Sequence, residues 1–358
     1  MTGGWAQYLA VFAGSAVLSL LLTPLAIRVA VSRRVLDLPG DHKSHSTPVP
    51  YLGGVAVLLS FSVVIGGAAL VDSSTRGDTE LVKVLAIAVG LAVLGLVDDL
   101  KKLPSLLRML VEIGAGLLVW QFDLGVAFLS NDVFNAIVTV VWIVGIVNAF
   151  NMSDNMDGLS GGLSAIAALS FFAIAAANGQ FLVAGLSAGL AGCALGFLRH
   201  NVFPAKIYMG DAGAYFFGFM IAYLGLKLQF ATSPQNNTFI VPILVCSVVI
   251  LDTTLVTLAR LYHGISPLQG GRDHTSHRLV RVGLPVPVAV GVIHAAAAAM
   301  GTVAFVVVRV DDTSGWILVG LCGVLLGVFG VLLAMVPVYA TSSHSLYQVT
   351  RVDDTAAP

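Results

Sequence analysis

The chain has 358 residues, of which 57% are hydrophobic and 10% charged, and its formal net charge is −1. Mean hydropathy is +0.93, whereas a water-soluble domain carries about 25% charged residues. The polar groups needed to cover a soluble surface are missing, and the balanced charge excludes a bulk basic field for nucleic acid. The reading is an all-α polytopic membrane protein that must hold any anion locally.

A helix needs about 20 mostly apolar residues to cross a bilayer. Such segments fall at 9–31, 52–71, 81–97, 106–120, 133–150, 159–176, 181–198, 212–229, 240–259, 288–308 and 316–339, which predicts about eleven transmembrane helices. No basic stretch precedes the first and no small-residue cleavage site closes a short apolar core, so it reads as a span rather than a signal peptide. Arg28, Arg33 and Arg34 follow it, which puts the N-terminus outside and the first loop in the cytosol.

Alternation from there leaves only Arg76, Lys83, Lys227 and Arg309 of the 18 basic residues outside, and the C-terminus cytosolic. Residues 1–340 form one membrane domain, with polar loops at 32–51, 98–104, 148–160, 199–213 and 260–287 on the cytosolic side. Residues 341–358 are polar enough to form a disordered tail. Cys193, Cys246 and Cys322 lie in apolar runs and read as core residues.

The first cytosolic loop carries Lys43 and His45, a weak signal alone. Asp98 and Asp99 close the third span, followed by Lys101, Lys102 and Pro104. Adjacent carboxylates repel and call for a cation, a metal or water, although they also suit a solvated helix cap. Asn148, Asn151, Asp154 and Asp157 recur every third position, so on a helix they drift around the circumference, and they suit a helix end unwinding into a loop at Asn155 and Gly158. Such a group can hold a sugar, a base or a hydrated cation.

Arg199, His200 and Asn201 precede Lys206 and the run Gly210-Asp211-Ala212-Gly213. Flanking glycines let a backbone approach a ligand while Asp211 reaches a metal, and the same aspartate could cap the eighth span. The longest cytosolic loop holds Arg272, Asp273, His274, His277 and Arg278. Two histidines without a third ligand but with flanking arginines suit phosphate better than zinc. Glu112 and Asp252 are acids within spans and need partners, Glu112 being read as protonated and hydrogen-bonded.

Taken in order, from Lys43 to about Leu284, these motifs resemble the polyprenyl-phosphate N-acetylhexosamine-1-phosphate transferases, a family that includes the phospho-MurNAc-pentapeptide translocase. The resemblance implies transfer of a sugar 1-phosphate, GlcNAc-1-phosphate first among the candidates, from a UDP-sugar to a polyprenyl phosphate with release of UMP. It places Asp98, Asp99, Asp154 and Asp157 in the catalytic motifs and Asp211 at Mg²⁺, for which Mn²⁺ can substitute. Lys43, His45, Asn148, Asn151, Asn201, Lys206, Arg272, His274, His277 and Arg278 fall to substrate binding.

The implied setting is a prokaryotic plasma membrane with a cytosolic active site. The oligomeric state, a homodimer included, is left open. The chain departs from the family pattern at Asn155, where glycine is common, at Ala214, where serine usually stands, and at Ser276, which replaces one of three imidazoles. UDP-MurNAc-pentapeptide is an alternative donor. A secondary transporter is the alternative of another class, which should carry its polar groups near the midplane.

Overall fold

The computed structural model describes residues 4–37, 48–71, 78–127, 130–228 and 239–339. Lys43, His45 and the tail 341–358 lie outside the described residues. The described chain is almost wholly helical: α1 (Trp5–Arg33), α2 (Gly53–Val71), α3 (Asp78–Lys101), α4 (Ser105–Gln121), α5 (Asp132–Ser153), α6 (Leu159–Ala177), α7 (Phe181–Asn201) and α8 (Gly210–Lys227) come first. Then come α9 (Ile240–Val245), α10 (Ser247–Tyr262), the short α11 (Thr275–Arg281), α12 (Val286–Val307) and α13 (Asp312–Ala334).

Every predicted span coincides with a helix, except that the ninth is broken at Cys246 into α9 and α10. Among the described residues, eight helices are long and apolar enough to cross a membrane: α1, α2, α3 from Thr79, α5, α6, α7, α12 and α13. The two-residue strands β1 (Leu36–Asp37) and β2 (Val49–Pro50), absent from the sequence expectation, pair antiparallel and tie off the first long loop.

The bundle is built around α8. From Ala212 to Gly225 every residue of this helix is buried, because its apolar side chains occupy the whole circumference and neighbours cover all of it. The outer helices show the opposite: Leu9, Val17, Leu21 and Leu25 of α1 and Val324, Leu325 and Val331 of α13 are exposed. An exterior this apolar is stable only against hydrocarbon.

With lipid outside, burial of apolar surface gives little drive for helix association, and close packing takes over. Gly192 and Gly196 let α7 lie on the α1 backbone, where an added β-carbon would overlap the carbonyls of Phe12 and Ala16. The same device positions the site: a β-carbon on Gly54 of α2 would overlap the Gly213 backbone, and one on Gly95 of α3 would overlap that of Asp211. Two helices are thereby seated directly against the first turn of α8. Gly53 and Gly54 then donate amide hydrogens to the carbonyls of Tyr208 and Met209.

Candidate active site

The polar residues gather where α3, α5 and α7 end and α4, α6 and α8 begin. The first turn of α8 exposes unsatisfied amides that need an acceptor. Met209 at its N-cap supplies no side-chain hydrogen bond. Asp99, from the end of α3, takes its place: Oδ1 accepts the Asp211 amide at 3.1 Å and Oδ2 the Ala212 amide at 3.3 Å. Gly210, at φ +67°, is required because a side chain there would run into this carboxylate. Asp99 thus caps α8 and joins it to α3.

Asp98 points the other way. Its Oδ1 accepts the Leu103 amide at 2.5 Å, and its Oδ2 takes Arg108 Nη1 of α4 at 2.7 Å. The same guanidinium nitrogen lies 3.9 Å from Asp211 Oδ2, and Nη2 donates to Ser105 Oγ at 3.1 Å. The carboxylates of Asp98 and Asp211 are themselves in hydrogen-bonding contact. Asn151 donates to Asp211 Oδ1 at 2.7 Å from the last turn of α5. Arg108, which the sequence reading did not assign to the site, is therefore its central cation.

Two carboxylates pressed together require a shared proton or a positive charge. Among the described residues, no group of three or more His, Cys, Asp or Glu is arranged to hold a metal ion. The pair nevertheless fits Mg²⁺, which takes one or two carboxylates and completes its shell with water and phosphate oxygens. Asp211 and Asp98 are the residues that would hold it.

The repeat of polar residues at every third position diverges around α5 as helix geometry requires. Asn148 turns inward, donating to Glu112 of α4 and to the Val144 carbonyl at 2.9 Å, so it does not share the site with Asn151. Asp154, at the α5 C-cap, is pushed up to about 8 by burial and by Asp211, Asp99 and Asp157. Asp157 instead braces two loops, accepting the Ala205 amide at 2.8 Å and the Tyr208 hydroxyl.

Two residues assigned to substrate are structural. Asn201 is buried with both ends of its amide spent on backbone: Oδ1 accepts the Gly158 amide at 3.1 Å, and Nδ2 donates to the Ile207 carbonyl at 2.9 Å. Arg278 is also buried, donating to the Asp273 carbonyl at 2.8 Å and to the carbonyls of Leu333 and Val336 at 3.0 and 3.1 Å. It satisfies carbonyls left open at the end of α13. Lys206 and Arg272 are exposed.

Asp252 has the partner its position demands. Its Oδ2 lies 2.8 Å from His274 Nδ1, and its Oδ1 accepts the Thr275 amide at 2.6 Å, which fixes the start of α11. Arg260 forks onto Asp273 at 2.8 and 2.7 Å, and Tyr339 donates to the same carboxylate at 2.5 Å. These contacts hold the Asp273 carboxyl down to about 2 against its own burial. His277 is driven down to about 4, first by burial and then by the charges of His274 and Arg272.

Residues 81–229 match the family described as Glycosyl transferase family 4. The chain is 31% identical over 284 residues to a probable undecaprenyl-phosphate N-acetylglucosaminyl 1-phosphate transferase of Bacillus subtilis (strain 168), covering 77% of this chain and 78% of that one. It is 29% identical to a decaprenyl-phosphate N-acetylglucosaminephosphotransferase of Mycolicibacterium smegmatis, covering 71% of each. A phospho-N-acetylmuramoyl-pentapeptide-transferase of Clostridium botulinum is 28% identical over 61% of this chain and 72% of its own. The matched region contains Asp98, Asp99, Arg108, Asn151 and Asp211, and the chain belongs to glycosyl transferase family 4.

Proposed function

We propose that this chain transfers GlcNAc-1-phosphate from UDP-GlcNAc to a polyprenyl phosphate, releasing UMP, at the cytosolic face of a prokaryotic plasma membrane. The observation that carries the reading is the cluster of Asp98, Arg108, Asn151 and Asp211, drawn from four helix ends onto one point of the bundle. The B. subtilis and M. smegmatis relatives are named for N-acetylglucosamine phosphate transfer with undecaprenyl and decaprenyl phosphate, which supports the reading. Eleven crossings, an outer N-terminus and a cytosolic C-terminus fit the basic loops best.

Phosphoryl transfer asks a protein mainly for positioning and charge neutralisation. A phosphate monoester has a second pKa of about 6, so the acceptor is already largely dianionic near neutrality. Asp98 accepts one hydrogen bond on each oxygen, from Leu103 and from Arg108, and serves to hold Arg108 in place rather than to remove a proton. Asn151 orients Asp211 in the same manner. A divalent cation on Asp211 and Asp98, when bound, supplies neutralisation of pyrophosphate charge.

Purified protein should exchange labelled UMP into UDP-GlcNAc only when polyprenyl phosphate is present. A panel of UDP-hexosamines and UDP-MurNAc-pentapeptide, scored by UMP release, identifies the donor. Substrate flux into vesicles without UMP release would replace this reading with transport.

A further inference from the structure

The loop at 154–158 meets α11 through Asn155 and Ser276, and the hydrogens of this contact can be assigned in sequence. Asn155 Nδ2 donates to the Met152 carbonyl at 2.7 Å, which fixes the amide's orientation and turns Oδ1 outward as an acceptor. Ser276 Oγ lies 2.6 Å from that Oδ1, so the hydroxyl donates. A hydroxyl has one hydrogen, and this one is spent on Asn155. Toward His277 Nδ1, 3.4 Å away, Ser276 Oγ can then only accept. A ring proton on Nδ1 of His277 suits this contact, and a neutral imidazole with that proton keeps a bare lone pair on Nε2.

Ser276 is 1% exposed, which shields the contact from competing water, while His277 is only half-buried. Both Asn155 and Ser276 are positions where the chain departs from the pattern it resembles, and the structure joins the two departures in a single hydrogen bond.

We propose that Asn155 and Ser276 are positioning residues that lock the tautomer of His277, so that its Nε2 accepts a hydrogen bond from a polar hydrogen of the nucleotide-sugar donor, an imide N–H or a hydroxyl. His277 then reads the neutral part of the donor, and phosphate charge is left to Arg108 and the bound cation. The inference rests on the proposed function for the identity of the ligand, but the tautomer does not.

The tautomer is tested without turnover. In full-length protein labelled with ¹⁵N-histidine in lipid nanodiscs at neutral pH, His277 should show a protonated Nδ1 and a bare Nε2. Ser276→Ala should shift the proton to Nε2, and Ser276→Thr should retain the original state. A wild-type ring protonated on Nε2, or on both nitrogens, overturns the relay whether or not the protein is a transferase.

Recognition is tested by kinetics. Loss of one neutral hydrogen bond should raise KM for the donor about tenfold with kcat little changed in His277→Ala and Ser276→Ala. The double variant should be no worse than His277→Ala alone. His277→Gln, which keeps an acceptor, should recover most of the loss, whereas His277→Lys should not. Recovery by Lys and not by Gln means the ring serves phosphate and overturns the proposal. Donors carrying N3-methyluracil or a deoxygenated sugar locate the hydrogen: the relevant analogue should penalise wild type more than His277→Ala. Equal penalties for both analogues in both proteins also overturn it.

Discussion

Asp99 and Asp211 are joined through the backbone: the Asp99 carboxylate accepts the Asp211 amide at 3.1 Å and that of its neighbour Ala212 at 3.3 Å. A capping acceptor supplied from 112 residues away does two things at once, closing the first turn of α8 and setting where the Asp211 side chain stands. Loss of an N-cap acceptor costs about 0.5–2 kcal/mol. Asp99→Ala is therefore expected to lower the melting midpoint and to abolish UMP release through misplacement of Asp211. Asp99→Asn, which retains one acceptor oxygen, should melt between the two. Wild-type activity in Asp99→Ala would show that Asp211 is held by other means.

Gly95→Ala makes the same point by steric means. A β-carbon at this position would overlap the Asp211 backbone, and the nearest atoms are main chain that cannot swing aside. Overpacking of this kind costs about 1–3 kcal/mol. The expected result is folded, less stable protein with little activity, measured by melting in detergent beside UMP release. Gly90→Ala on the same helix, where nothing lies within 4 Å, should be silent in both assays.

Arg108 faces two carboxylates at once, Asp98 at 2.7 Å and Asp211 at 3.9 Å. Removal of a preorganised charge from a transfer site costs about 10²–10³ in rate. Arg108→Ala should fall within that range in kcat/KM. Arg108→Lys should recover only part, because an ammonium cannot reach Asp98 and Ser105 with separate planar donors. Full recovery by Lys would reduce the role of Arg108 to charge alone.

Asp211→Asn should leave secondary structure and melting close to wild type while turnover loses its dependence on Mg²⁺. The measurement is activity against Mg²⁺ concentration after chelation, read beside calorimetric Mg²⁺ binding. Unchanged metal affinity in this variant would remove Asp211 from the metal assignment.

Acid stability should fall in two stages. The unfolded chain binds a proton at His277 near pH 6.5, which the native ring refuses until about pH 4, so stability declines as pH drops across that interval. The stabilisation from Asp273 is present above its unfolded pKa of about 3.9 and is lost as pH falls through about 2. His277→Gln should flatten the first stage and leave the second. Removing Arg260 from the buried pair should cost about 3–5 kcal/mol, since Asp273 would keep its charge without its partner. Melting midpoints measured from pH 7 to below pH 2 check both stages.

Helical class and membrane habit were legible in the sequence, because they depend on composition and on runs of apolar residues that each helix satisfies alone. Asp98, Asn151 and Asp211 could be named from their motifs, and the structure brings these three together around Arg108. Arg108 itself carried no local signal, since it lies inside an apolar helix and gains its meaning from two carboxylates on other helices.

What only the tertiary structure decided is the work each polar residue does. Asn148 and Asn151 are one turn apart on α5, yet one meets Glu112 and the other Asp211, because successive three-residue steps rotate about 300° and each face meets a different neighbour. Asn201, Asp157 and Arg278 read as ligand groups from residue type alone. Packing gave them backbone amides and carbonyls to satisfy, because buried polar groups away from water must be paired. Sequence determined which residues could do chemistry; long-range contacts, through the hydrogen bonds they impose, decided which were left free to do it.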